Sequence, residues 1–130
     1  MTIPELELVR DGDVALLTLR REARRNALHG PLWTAIGEAA RALAEAPPRV
    51  VILSGAGGHF SAGMDLKPDN PLITRLFPAI QAGDTDTFRA LIHELKAVVN
   101  AVAAMPCPVI AAIDGACAGG GLELALACDL

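Results

Sequence analysis

Aromatic side chains are scarce in this sequence. Tyrosine is absent, and one tryptophan and three phenylalanines bring the aromatic share to only 3% of the residues. Proteins that bind single-stranded nucleic acid stack successive bases on aromatic rings. So few rings argue against a stacking platform for bases or sugars, and they leave an apolar interior that is almost entirely aliphatic.

Positive charge is also in short supply. The chain has 11 Lys and Arg residues against 15 Asp and Glu residues, which gives a formal net charge of −4. Binding to a phosphate backbone or to an anionic membrane surface depends on an excess of basic side chains. We therefore expect neither a nucleic-acid partner nor a membrane partner.

The cysteines lack the pattern of a disulfide framework or a metal site. The three residues are Cys107, Cys117 and Cys128, an odd number with spacings of ten and eleven. Disulfide frameworks use even numbers, and zinc sites use close pairs such as C-x-x-C. The spacing therefore predicts no metal site and three buried thiols that behave as small apolar groups.

Long apolar runs are missing as well. The longest apolar region, residues 97–113, is interrupted by Asn100, Pro106 and Pro108, whereas a membrane-spanning helix needs about 20 apolar residues. The amino terminus does not combine a basic segment with an apolar run, as a secretory signal would. Together these features predict a cytoplasmic protein.

What the sequence does contain is enough apolar material for one core. Hydrophobic residues make up 52% of the 130 residues, so residues 1–130 are predicted to form one domain. Apolar spacing and turn residues predict, in order, a β-hairpin over 5–19, a helix over 31–46, a strand over 49–54, an irregular proline-rich stretch over 68–78, a helix over 84–105, a strand over 107–113 and the start of a helix over 121–130. This order is typical of an α/β layered fold.

The pattern of a strand, a glycine-rich loop and a chain that enters a helix occurs at two places, residues 50–66 and 109–126. Glycine admits close approach of the backbone, and the start of a helix leaves N–H groups unpaired. Two such loops side by side would offer two donors to one oxygen, as in an oxyanion hole. The alternative is that the glycines only permit tight packing of strand on helix.

Three common motifs do not fit these loops. A P-loop would need lysine after Gly120, where Gly121 stands, and the dinucleotide fingerprint would need a third glycine at Phe60. A nucleophile elbow centred on Ser61 would need glycine at His59. Nucleotide-binding and serine-hydrolase functions are therefore disfavoured.

Three segments resemble the enoyl-CoA hydratase/isomerase, or crotonase, superfamily. They are Arg25-Asn26-Ala27-Leu28, Phe60-Ser61-Ala62-Gly63-Met64-Asp65-Leu66-Lys67, and residues 108–129, which include Gly119-Gly120-Gly121-Leu122-Glu123. The segments occur in the family's order. The resemblance implies an α/β fold, the crotonase-like spiral of ββα units, cut off here after the second oxyanion-hole loop. It also implies binding of acyl-CoA thioesters and stabilisation of their enolate form.

The resemblance also assigns roles by position. The backbone N–H groups of Met64 and Gly120 would form the oxyanion hole. The CoA-binding residues would be Ala62, Met64, Asp65, Leu66, Lys67 and Gly120, with Arg25 and its neighbour Arg24 as weaker candidates. A lysine suits this role because CoA carries phosphates. No permanently bound cofactor is implied, since the substrate itself carries coenzyme A.

Glu123 is the ionisable side chain inside the second motif. One interpretation is structural, because acidic residues stabilise helix N-termini. The other is catalytic: hydratases of the family carry a glutamate here, which would orient and deprotonate the water that adds to a 2-enoyl-CoA. The resemblance favours the catalytic role.

The family's second glutamate would lie further along than Glu123, beyond Leu130. We therefore expect an amino-terminal portion of the domain, with exposed apolar surface on residues 108–113 and 121–130. The full-length form would assemble as a trimer or hexamer. Three possibilities stay open: an enoyl-CoA hydratase, or an isomerase or hydrolase of the same superfamily; a CoA-binding module without turnover; and an inactive fragment.

Overall fold

Strands and helices alternate along the chain in the computed structural model, which describes residues 3–130. The elements are β1 (Leu6–Asp11), β2 (Val14–Leu19), α1 (Gly30–Glu45), β3 (Val50–Gly55), α2 (Pro71–Ala82), α3 (Thr85–Ala103), β4 (Val109–Ala112) and α4 (Gly120–Ala127), with short 3-10 turns at Glu22–Arg24 and Ala56–Gly58. The predicted α/β order is confirmed, and so is the hairpin. The two long helices predicted over 31–46 and 84–105 are also confirmed, as α1 and α3.

The four strands form one mixed sheet in the order β1-β2-β3-β4. Strands β1 and β2 pair antiparallel around the turn at Gly12, which has φ +60°. Strands β2, β3 and β4 run parallel. Parallel neighbours place the loops after β3 and β4 at the same edge of the sheet. This arrangement brings the two glycine-rich loops together.

Helix α1 covers the sheet. Its first turn is set by Pro31 near the N-terminus and by His29, whose Nδ1 accepts a hydrogen bond from the Leu32 N–H (3.2 Å). Its buried face and the inward side chains of the strands form the core, which includes Leu17, Leu19, Leu32, Ile36, Leu43, Val51 and Leu53. The aliphatic interior expected from the composition is confirmed.

The prediction that residues 68–78 are irregular is wrong for residues 71–78, which belong to α2 (Pro71–Ala82). Proline is favourable in a first helical turn, and Pro71 stands there behind Asn70, whose Oδ1 accepts from the Leu72 N–H (3.1 Å). Pro78 lies inside the helix, which still ends in an ordinary way at Gly83 with φ +64°. Buried Leu72, Ile73 and Ala79 hold α2 in place.

Helix α4 ends at Ala127, so the expectation of a helix reaching Leu130 is wrong. The chain turns back along β4: the Leu130 N–H donates to Val109 O (3.2 Å), and Leu130 O accepts from the Ala111 N–H (2.8 Å). The expected exposed apolar surface is confirmed at Ile113, Leu122, Leu126 and Leu130, which are 54%, 45%, 76% and 79% exposed.

The cysteines form no disulfide. All three are half-buried rather than fully buried. Burial and the nearby Asp129 carboxylate raise the pKa of Cys128 to about 11. No helix in residues 3–130 has the length and the hydropathy that a membrane span requires.

Candidate active site

The two glycine-rich loops lie against each other through a backbone bridge between Ser61 and Cys117. The Ser61 N–H donates to Ala116 O (3.0 Å), and Ser61 O accepts from the Ala118 N–H (3.1 Å). The first loop is also tied to residues 25–28, because the Leu28 N–H donates to Gly63 O (2.7 Å). The expectation that the loops meet is confirmed.

Glycine is required at the points of closest approach. Gly63 has φ +95°, and a Cβ there would lie 2.8 Å from Ala118 O. A Cβ on Gly121 would lie 2.6 Å from Ser61 O. Both distances are shorter than side chains tolerate against backbone, so the glycines serve tight packing in addition to any role in binding.

A cavity of about 250 Å³ opens beside these loops, and we call it the site cavity. Its lining residues are Leu28, Trp33, Met64, Leu72, Ile92, Leu95, Lys96, Gly120 and Glu123. Three residues singled out from the sequence, Met64, Gly120 and Glu123, therefore line one space although they are 59 positions apart along the chain at the extremes.

The backbone N–H groups of Met64 and Gly120 have no acceptor within residues 3–130. Around Met64, the pairing with Leu28 uses the N–H groups of Leu28 and Asp65 and leaves that of Met64 unused. Gly120 is the first residue of α4, where N–H groups lack helical partners. The cavity is thus lined by two residues with unsatisfied donors, the arrangement that a developing oxyanion requires.

Glu123 lies in the first turn of α4 and lines the site cavity, but the residue is exposed. Apolar side chains such as Leu28 and Trp33 flank the cavity, so the carboxylate meets an apolar surface on one side and solvent on the other. Among the described residues it is the only carboxylate in the cavity lining. It can therefore supply one proton-transfer group to a ligand bound there.

Known proteins share both the sequence pattern and the fold of this chain. The family model described as "Enoyl-CoA hydratase/isomerase" matches residues 10–130. The chain belongs to the enoyl-CoA hydratase/isomerase family. The peroxisomal Delta(3,5)-Delta(2,4)-dienoyl-CoA isomerase of Arabidopsis thaliana is 36% identical over 130 residues, covering 96% of this chain and 47% of the relative. The mitochondrial methylglutaconyl-CoA hydratase of Mus musculus is 35% identical over 119 residues, covering 90% of this chain and 34% of the relative.

Solved structures of the enoyl-CoA hydratase/isomerase family share the fold. The crystal structure of an enoyl-CoA hydratase/carnithine racemase from Magnetospirillum magneticum matches with a TM-score of 0.82 and 37% identity, covering 99% of this chain and 46% of that one. An enoyl-CoA hydratase from Mycobacterium smegmatis matches with a TM-score of 0.80 and 32% identity, covering 98% and 47%. The crotonase-like α/β fold is thereby confirmed, and the chain spans about half or less of these relatives' lengths.

The residues that the family resemblance linked to CoA binding differ in their exposure to solvent. Ala62, Leu66, Lys67 and Arg25 are exposed. Ala62 and Arg25 are joined, because the Ala62 N–H donates to Arg25 O (2.9 Å), and Arg25 has φ +49°. Neither Lys67 nor Arg25 forms an ion pair with residues 3–130. Both cations are therefore available to a phosphate.

Asp65 differs from its neighbours because it is only 4% exposed. Its carboxylate lies 2.8 Å from Arg21 Nη1 and 3.0 Å from Arg24 Nη1, and its Oδ1 accepts from the Lys67 N–H (3.0 Å). Burial alone would raise the pKa of Asp65, but the Lys67 N–H and the two guanidinium groups more than reverse this, so the pKa is lowered. Asp65 fixes the backbone at Lys67, and its single negative charge is shared between Arg21 and Arg24.

Several residues that shape the site carry no strong signal in the sequence. Lys96 and Trp33 reach the site cavity from α3 and α1, and only the packing of those helices decides which side chains face it. Buried Asn26 is different, because it belongs to the recognised segment 25–28 and holds both the Ala56 and His59 carbonyls. Ser61 Oγ donates to Asn26 O (2.8 Å), and His59 Nδ1 accepts from the Ala116 N–H (2.9 Å), so both side chains are engaged in loop structure.

Proposed function

We propose that the site cavity binds the thioester of an acyl-CoA and that the protein of which this chain forms part hydrates a 2-enoyl-CoA. The observation that carries the proposal is the pair of N–H groups at Met64 and Gly120, which lack acceptors within residues 3–130 and belong to one cavity. Membership of the enoyl-CoA hydratase/isomerase family supports the same chemistry.

In this proposal the thioester oxygen accepts both N–H groups. As the oxygen of water bonds to the β-carbon, the π electrons move toward the carbonyl and negative charge collects on that oxygen. Preorganised donors stabilise this charge more than they stabilise the neutral substrate, and loss of one such donor costs roughly 10²–10³ in rate. Backbone donors suffice, so a methionine at position 64 is compatible with the role.

Glu123 accepts a proton from the attacking water while the hydroxyl group bonds to the β-carbon. The enolate then takes a proton at the α-carbon, so that the elements of water are added across the double bond and no oxidant or metal is consumed. The family resemblance implies a second glutamate for this step, further along than Glu123. Glu123 is the carboxylate that residues 3–130 contribute.

The CoA part of the substrate would lie over Ala62, Leu66 and Lys67. Lys67 and Arg25 are exposed cations without ion pairs in the described part of the chain, which suits the phosphates of CoA. Asp65 would act indirectly by holding the Lys67 backbone. CoA arrives with the acyl group, so the proposal includes no permanently bound cofactor.

Binding of acyl-CoA without turnover is a second candidate function. It is favoured by the single carboxylate in the lining that residues 3–130 provide, because hydration removes a proton from water and delivers a proton to the α-carbon. Isomerisation of a dienoyl-CoA is the competing reaction, because a relative that is 36% identical to this chain is named a dienoyl-CoA isomerase.

The deciding experiment follows the enoyl-thioester absorbance of but-2-enoyl-CoA with the full-length protein, its Glu123→Gln variant and its Glu45→Gln variant. Glu45 is an exposed carboxylate at the end of α1 outside the site cavity, so its variant is the matched control. Hydration predicts loss of absorbance that slows about 10²–10⁴-fold in Glu123→Gln only. Stable absorbance with retained binding of butanoyl-CoA would leave the binding function, and failure to bind would refute both.

Two further proposals concern the assembly of the protein and its location in the cell. We propose a trimer or hexamer for the full-length protein on the strength of the family resemblance, and light scattering on that protein tests it. Cytoplasmic location stays a prediction, because the relatives named above are peroxisomal and mitochondrial proteins. Cell fractionation tests it.

A further inference from the structure

A second cavity adjoins the site cavity, and we call it the side cavity. It has a volume of about 560 Å³ and lies among α1, the start of α2 and α3. Trp33, Leu72 and Leu95 line both cavities and so form the wall between them. The side cavity continues with apolar residues such as Pro31, Ala97 and Val98, and Arg75 and Glu94 lie at its polar part.

Trp33 is the largest element of this wall and is held firmly. It is 6% exposed, and its Nε1–H donates to the backbone oxygen of Leu95 at 3.1 Å, which links two of the three wall residues. Its ring also stands close to the proposed oxyanion hole, because a Cβ on Gly120 would lie 3.4 Å from Trp33 Cζ3. An acyl chain leaving the thioester position therefore meets the indole ring.

The site cavity, of about 250 Å³, lies on one side of this ring, and the side cavity lies on the other. A chain that extends from the thioester position toward α1 and α2 is stopped by the ring, and only a path past Trp33 would lead it into the side cavity.

We infer that Trp33 determines acyl-chain length by closing the site cavity against the side cavity. This inference rests on the proposed function, because it assumes that a thioester binds beside Met64 and Gly120. With Trp33 in place the chain accepts short acyl groups. With a small residue at this position the two cavities become continuous, and longer apolar chains gain buried surface.

The test measures binding of butanoyl-CoA and decanoyl-CoA by titration calorimetry; both are saturated, so hydration cannot occur. The 130-residue chain is compared with Trp33→Ala and with Leu43→Ala. Leu43 is a buried residue of the same helix that lines neither cavity, so its variant controls for general destabilisation. Trp33→Leu removes the ring with a smaller loss of packing and decides the question if Trp33→Ala does not fold.

The inference predicts that the decanoyl-to-butanoyl affinity ratio rises at least about tenfold on opening the wall, as burial of several methylene groups would give. Leu43→Ala should leave the ratio unchanged. An unchanged ratio in a folded Trp33→Ala or Trp33→Leu variant that still binds butanoyl-CoA would overturn the role of Trp33 and leave the proposed function standing. Failure of the parent chain to bind either thioester would overturn both.

Discussion

Asn26 connects the segment before α1 with the loop after β3, and its removal should be costly. The residue is fully buried with φ +56°. Its Oδ1 accepts from the Arg21 N–H (2.8 Å), and its Nδ2 donates to Ala56 O (2.9 Å) and His59 O (2.7 Å). Asn26→Ala would leave three backbone groups without these partners.

The expected cost follows from these contacts. Three hydrogen bonds at about 1 kcal/mol each contribute about 3 kcal/mol. Asparagine also tolerates the left-handed backbone better than alanine, which adds about 1 kcal/mol. We therefore expect Asn26→Ala to lower the free energy of unfolding by about 4 kcal/mol, a large part of the total for a domain of this size.

The assay is urea denaturation followed by far-ultraviolet circular dichroism. Asn26→Gly loses the same hydrogen bonds without the backbone strain, so it should be about 1 kcal/mol less destabilised than Asn26→Ala. Arg25→Ala is the control at the neighbouring left-handed position, where the side chain is exposed and a change within about 0.5 kcal/mol is expected. A loss below about 1 kcal/mol in Asn26→Ala would refute the reasoning.

Three further predictions concern stability and reactivity. Because the Asp65 pKa is lowered in the folded state, ionised Asp65 contributes fully to folding stability above the unfolded value of 3.8, and this contribution is lost as pH falls below that value. Urea midpoints should therefore fall more steeply below pH 4 in the parent than in Asp65→Asn. Parallel curves would contradict this. With a pKa of about 11, Cys128 should be alkylated at pH 8 at least about 100-fold more slowly in the folded chain than in urea, as peptide mass analysis would show; equal rates would disprove it. Gly121→Ala should cost about 2 kcal/mol or more by thermal melting, because its Cβ meets Ser61 O at 2.6 Å; an unchanged melt would show that the loops separate easily.

The parts of the site that are set by local backbone were predictable from the sequence. Glycine runs after two buried strands indicated two loops that could lie side by side, the family resemblance singled out Met64 and Gly120 in them, and the structure places both residues at one cavity. The helix α2 was not predictable from prolines treated as helix breakers, because Pro71 is favourable at a helix start and Asn70 caps it.

Side-chain surroundings were harder to predict, since they depend on contacts between distant segments. Asp65 belongs to the recognised segment, yet its burial depends on Arg21 and Arg24, some 40 positions earlier. Trp33 and Lys96 come from helices whose apolar spacing indicates a buried face but not which cavity that face borders. Tertiary packing, which periodicity does not encode, decides both cases.

In the proposed function the Gly120 N–H polarises a bound thioester. Gly120 is the first residue of α4, a position that accepts proline, so Gly120→Pro removes the N–H while Gly120→Ala keeps it. Alanine is the matched control because both variants add a Cβ near Leu28, 3.1 Å from its Cδ1. Binding of each variant to the substrate is confirmed by calorimetry before the spectra are compared.

The direct measurement is the infrared stretch of the thioester carbonyl of but-2-enoyl-CoA, labelled with carbon-13 at C1 and bound to each variant. Hydrogen bonding to the carbonyl weakens the bond, so binding should lower its frequency in the parent and in Gly120→Ala, and the shift should be clearly smaller in Gly120→Pro, where only the Met64 N–H remains. A shift of equal size in all three, or no shift in the parent, would contradict the oxyanion hole.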